Sequence, residues 1–180
     1  MNSSVVTPFP VSLPPPAEPV TVLSRELLQA AVAASRQSPR RRMILPLHKD
    51  HGAPLQRMFN VVQPRSYLRP HRHASPPKAE TLLVWQGAIA FFEFAAGGEP
   101  QRCEILRAGG PRFGVDIEPG VIHTFVALEP DTILLEAKAG PYERISDKDF
   151  APWAPAEGAP EVAAFLDGLY QRAQAAEAAR

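Results

Sequence analysis

The chain has 180 residues, enough for one ordinary domain of roughly 100–150 residues plus tails, and a domain of that size buries about two-thirds of its unfolded surface. Nineteen basic side chains balance nineteen acidic ones, which excludes the basic footprint of a nucleic-acid binder. A single cysteine, Cys103, excludes an intramolecular disulfide, and no apolar run approaches the roughly 20 residues of a membrane span. The N-terminus lacks a basic segment leading into an apolar one, so a cytoplasmic protein with neither membrane nor nucleic-acid partners is expected.

Residues 1–20 carry Pro8, Pro10, Pro14, Pro15, Pro16 and Pro19, a density that favours extended polyproline and predicts a flexible tail. From Ser24, which can cap a first turn, Leu27, Leu28, Ala31 and Val32 recur at helical spacing until Ser38-Pro39 stops them. Arg40, Arg41 and Arg42 follow, where cations favour a helix C-terminus, and they read as a solvated helix end. Between about 43 and 138, short apolar runs alternate with Gly, Pro and Asp, which predicts nine strands near 42–48, 55–63, 66–73, 80–86, 88–95, 101–106, 113–117, 122–128 and 132–139. That spacing leaves no room for the crossovers of a parallel sheet, so a mainly β, antiparallel sandwich or barrel is expected. After Gly140-Pro141 an irregular stretch gives way to a second helix over Glu161 to Ala178, through Val162, Phe165, Leu166, Leu169 and Tyr170. The predicted organisation is a tail at 1–20, a domain at 21–157 that includes the first helix, and a C-terminal helix at 158–180.

The segment Tyr67-Leu68-Arg69-Pro70-His71-Arg72-His73 carries the most chemistry. Residues two apart on a strand project from one face, about 6.6 Å apart along the backbone, so the two imidazoles can converge on one ion. Glu80 begins the next strand, which runs to Gln86-Gly87 and reads as turning through a hairpin into Ala88-Ile89-Ala90-Phe91-Phe92. Further on, Pro119-Gly120 makes a tight turn and His123 enters the following strand as a third imidazole.

At these residues the sequence resembles the cupin superfamily, whose first motif holds His-x-His, a Glu and a Gly, and whose second holds a Gly, a Pro-Gly turn and a His. More narrowly, Arg69-Pro70-His71-Arg72-His73, Pro77-Lys78-x-Glu80, Gly140-Pro141-Tyr142 and the run Asp147 to Pro155 resemble the WbuC family of cupin-fold metalloproteins, a likeness covering about residues 22–157. The resemblance implies a jelly-roll β-barrel with His71, His73, Glu80 and His123 as ligands of one divalent metal ion. Six residues separate His73 from Glu80, where cupins usually have three or four. This longer loop could move Glu80 away from an ion, and Lys78 could pair with it instead. Three nitrogens and one carboxylate suit Zn, Ni, Fe, Mn or Cu without choosing among them.

With His71 and His73 facing inward, alternation puts Tyr67 and Arg69 on their face, Leu82 and Val84 beside Glu80, and Phe125 and Ala127 beyond His123. Along 88–94 the expected inner row is Ala88, Ala90, Phe92 and Phe94, with Glu93 outward. A mostly apolar pocket follows, with Tyr67, Arg69 and Tyr142 as candidate pocket residues for a small anionic or sugar-like ligand, Arg69 being suited to grip a carboxylate or phosphate. Ile89, Phe91, Val126 and Leu128 would then face outward and need cover, which a homodimer would supply. His48 and His51 read as isolated surface histidines. Three functions fit: a metal-dependent enzyme, a non-catalytic metal-dependent carbohydrate or small-ligand binding protein, and a metal-free epimerase resembling the sugar-nucleotide epimerases, with a histidine base and Tyr67 or Tyr142 as acid.

Overall fold

The structure, a computed structural model, describes residues 9–143, 145 and 147–179; the first eight residues of the expected tail lie outside it. Helix α1, Arg25–Gln37, starts where the sequence places it, with the Ser24 hydroxyl accepting the Leu27 N–H at 3.3 Å. It ends at Ser38, held extended as a residue before proline must be. Of the three arginines that follow, Arg41 is exposed but Arg40 and Arg42 are not a solvated end. Arg40 and Arg42 both grip Glu157, at 2.8 and 3.1 Å, and Arg42 also donates to the Tyr67 carbonyl at 2.6 Å.

Ten strands follow: β1 Arg42–Pro46, β2 Leu55–Val62, β3 His71–Arg72, β4 Glu80–Gln86, β5 Ala88–Phe94, β6 Pro100–Arg107, β7 Gly114–Ile117, β8 Ile122–Ala127, β9 Thr132–Ala139 and β10 Asp149–Phe150. The second helix, α2, spans Val162–Ala178. The strands form two antiparallel five-stranded sheets, in the orders β1-β2-β9-β4-β7 and β10-β3-β8-β5-β6, and the sheets are not closed into the barrel that was expected. Between them lies a core that includes Leu82, Val84, Ile89, Phe91, Phe125 and Leu134. α1 covers the outer face of the first sheet through Leu28 and Ala31 on Met43, Phe59 and Ile133, and α2 covers the second through Leu166 and Leu169 on Phe92 and Val126. Leu13 also docks on the first sheet, donating its N–H to the Ile44 carbonyl at 2.8 Å.

The face assigned to β5 is reversed. Register pairs Ile89 with Ala127, Phe91 with Phe125 and Glu93 with His123, so these three β5 residues point inward while Ala90, Phe92 and Phe94 meet α2. With both faces covered, hydrophobic alternation carries no phase, and the one charge, Glu93, reaches Arg102 at the rim at 3.1 Å. The residues that motivated a homodimer are therefore covered within the chain, Ile89 and Phe91 by the core and Val126 and Leu128 by α2.

Gln86-Gly87 is likewise no hairpin, because β4 and β5 belong to different sheets. Gly87 turns the corner at φ +76°, and a Cβ there would lie 2.5 Å from the Thr132 hydroxyl and 3.2 Å from its Cα. Gly87→Ala is expected to cost about 1–3 kcal/mol in urea unfolding, through a left-handed backbone and a clash together.

Candidate metal centre

Two of the four motif residues, His71 and His123, come from one sheet, His73 follows directly on the end of β3, and Glu80 comes from the other sheet. His71 on β3 stands directly opposite His123 on β8, with ring centroids 4.7 Å apart, and the His73 ring lies 5.1 Å from His71 and 6.0 Å from His123. Glu80 opens β4 across the sandwich, and the longer loop before it does not carry it away. One ligand atom from each of the four lies within 4.8 Å of the others, and all four residues are buried.

Local structure fixes each ring. His71 Nδ1 donates to the Arg69 carbonyl at 2.9 Å, His123 Nδ1 to the Val121 carbonyl at 3.0 Å, and His73 Nδ1 to the Asp147 carbonyl. A carbonyl only accepts, so each Nδ1 carries the proton and each Nε2 presents a lone pair. His73 is further held through its own carbonyl, which accepts from Lys78 N–H at 3.4 Å and from Gly120 N–H at 3.2 Å. The turn at Pro119-Gly120, with Gly120 at φ +85°, thereby sets the His73 backbone as well as the entry to His123.

Two of the inward atoms are left without hydrogen-bond partners. His73 Nε2 and Glu80 Oε2 are 2.9 Å apart, yet neither is aligned to hydrogen-bond the other, and both are buried and unsatisfied. Burial, then the Lys148 charge, push His71 well below the usual imidazole range, so it is neutral and able to donate a lone pair. Three lone pairs and a carboxylate around one buried point fit a divalent cation.

A chain of buried charges that sequence reading missed surrounds this cluster. Lys138 on β9 lies opposite Glu80 in register and pairs with Asp147 at 2.9 Å and Glu136 at 3.6 Å. Lys78 turns away from Glu80, to Asp147 at 3.3 Å and the Pro141 carbonyl at 2.6 Å, and Asn60 donates to Glu136 at 2.6 Å. Burial, then the Glu80 charge, raise the Glu136 carboxyl. A signal existed in Leu134, Glu136 and Lys138, whose alternation along β9 puts two charges on the inner face.

The expected pocket residues divide. Tyr67 lies outside the centre, with its ring 5.9 Å from Phe165 of α2, its hydroxyl on the Pro155 carbonyl at 2.7 Å, and its phenol pushed up to about 12 by burial. Tyr142 packs on His51 at 5.0 Å. Arg69 sits at the rim, its guanidinium 5.2 Å from the Phe150 ring centroid, and Phe150 is 6.2 Å from His71. His48 is buried and bonds the Arg57 backbone at 2.8 Å, away from the cluster. Open grooves of about 470 and 540 Å³ lie at Arg102–Phe113 and at Glu93–Ile122, neither lined by the four clustered residues.

A family model described as a domain of unknown function (DUF6016) matches residues 23–106, which include His71, His73 and Glu80. No curated protein matches the sequence. Among solved structures, the capsular polysaccharide assembling protein CapF of Staphylococcus aureus is 16% identical with a TM-score of 0.50, over 59% of this chain and 31% of that one. KdgF from Halomonas sp. is 18% identical with a TM-score of 0.45, over 58% and 82%. Oxalate decarboxylase of Bacillus subtilis, described with Mn(II) centres, is 17% identical with a TM-score of 0.42, over 55% and 24%. The chain thus spans less than a third of CapF and of the decarboxylase. These neighbours are cupin-fold proteins, and the fold of this chain is the cupin jelly roll, mainly β with a helix at either end.

Proposed function

We propose that His71, His73, Glu80 and His123 hold one divalent metal ion, and that the chain is a metal-dependent enzyme acting on a small anionic or sugar-like substrate. One observation carries the site: three imidazoles each spend their Nδ1 proton on a backbone carbonyl, leaving three Nε2 atoms beside an unsatisfied buried carboxylate. Such burial without a partner costs free energy that a bound cation offsets. When bound, a divalent ion supplies Lewis-acid polarisation of a substrate oxygen. The chain's own residues hold the tautomers and bury the centre among paired charges. The domain at 21–157 is the metal-binding unit, and its likeness to the WbuC motifs supports that reading.

A non-catalytic module is the second reading. It is favoured by the burial of the centre and by grooves that open elsewhere, as a metal that only joins two sheets would have them. A metal-free epimerase has less support, because Tyr67 is turned to α2 and Tyr142 to His51.

Turnover assayed with Zn, Ni, Fe, Mn and Cu, against sugar nucleotides and keto or carboxylic acids, separates these readings. Conversion that chelation abolishes is the expected result, whereas binding without conversion favours the module and activity that survives exhaustive chelation favours the epimerase.

A further inference from the structure

Strand β10 runs antiparallel to β3 and places Phe150 opposite His71 and Asp149 opposite Arg72. Alternation along this extended segment puts Lys148 on the same side as Phe150 and His71, while Asp149 faces away and meets Arg72 at 3.9 Å. Asp147, just before, is fully committed, its carbonyl to His73 and its carboxylate to Lys78 and Lys138. Lys148 is not. Half-buried beside the centre, its ammonium makes no hydrogen bond or ion pair among the described residues. Arg69, over the half-exposed ring of Phe150, donates to the Ala151 carbonyl at 3.2 Å and keeps its Nε buried without a partner.

Charge balance points the same way. Lys78, Lys138 and Lys148 face Glu80, Glu136 and Asp147, so the surround is neutral before any cation binds. A divalent ion would leave it with two positive charges in a poorly solvated place, and Lys148, attracted by Glu136, Glu80 and Asp147 but unlike Lys78 and Lys138, makes no direct ion pair with a carboxylate among the described residues.

We infer that Lys148, with Arg69 beside it, is the oxyanion subsite of this centre and takes a carboxylate or phosphate of a small ligand on the side of His71, with Phe150 as its wall. This deepens the metal-enzyme reading and rests on it for the second charge.

The test is isothermal titration of malonate and of inorganic phosphate into the zinc-loaded full chain, its Lys148→Ala variant and its Lys148→Arg variant, with zinc content measured on the same samples. The wild type is expected to bind at least one of the anions. Lys148→Ala should weaken that binding by about tenfold to a hundredfold at unchanged zinc content and with the fold retained, because no hydrogen bond or ion pair among the described residues is lost, and Lys148→Arg should restore most of it. Binding of malonate alone identifies a carboxylate ligand and of phosphate alone a phosphate ligand. Equal affinity in wild type and Lys148→Ala, or no binding of either anion, overturns the subsite. If the wild type holds no zinc, the metal reading fails separately. The titration of the metal-free chain then decides: a loss in Lys148→Ala sustains the subsite, and equal or absent binding overturns it.

Discussion

His123→Ala is expected to weaken divalent-metal binding by more than about a hundredfold, since residues that merely orient a ligand already cost 10–100-fold when removed. His123 supplies one of three Nε2 atoms and stands opposite His71 in register, so its loss opens one side of the cluster without breaking β8. Stability should report the same event, because the centre joins histidines of one sheet to Glu80 of the other. A metal at about a hundred times its dissociation constant adds about 2.7 kcal/mol, which for a chain this size raises Tm by roughly 5–10 °C. The wild type should show that rise on adding metal and lose it on chelation, and His123→Ala should show neither; an equal rise in the variant would remove His123 from the site.

Asp147→Ala is expected to produce the largest loss of stability. The carboxylate sits between Lys78 and Lys138, all three buried, and its removal leaves Lys78 with only the Pro141 carbonyl and Lys138 with only the longer pair to Glu136. Breaking a buried ion pair costs about 3–5 kcal/mol, or roughly 6–20 °C in Tm here. The effect has a definite pH dependence. Burial pushes the Asp147 carboxyl up, but the Lys138 charge pulls harder and the net shift is downward. A carboxyl depressed in the folded state contributes fully above its ordinary unfolded value, about 4, and loses that contribution as pH falls through the folded value. Urea melts of wild type and Asp147→Asn should therefore differ at pH 7 and converge toward pH 3. A gap that persists unchanged at pH 3 would mean that the charge of Asp147 is not what stabilises the fold.

Much of this architecture is legible in the chain. α1 announces itself through a cap and an apolar period and α2 through an apolar period alone, and each of the nine predicted strands overlaps an observed one because turn residues punctuate them. The positions of His71, His73, Glu80 and His123 also follow from strand spacing and from the Pro119-Gly120 turn. What stays hidden depends on partners distant in sequence. The inner face of β5 cannot be read because α2 buries its other face, and Gly87 resembles a hairpin glycine although it passes between sheets. Tyr67 leaves the expected row because Pro70 cannot donate to a ladder and the extended pairing begins only at His71. β10 is two residues long and exists by pairing with β3, contacts 77 and 79 positions apart that no local pattern marks. With it came the carbonyl that orients His73 and the carboxylate that joins two buried lysines, so the immediate surroundings of the centre were the least readable part.

The most direct test of the central claim is an anomalous difference map, at the metal's absorption edge, from crystals of the full chain grown with zinc. One peak is expected among His71, His73, Glu80 and His123, about 2.0–2.2 Å from the three Nε2 atoms and a Glu80 oxygen. A map with no peak there, or with zinc held only by other residues, would contradict it.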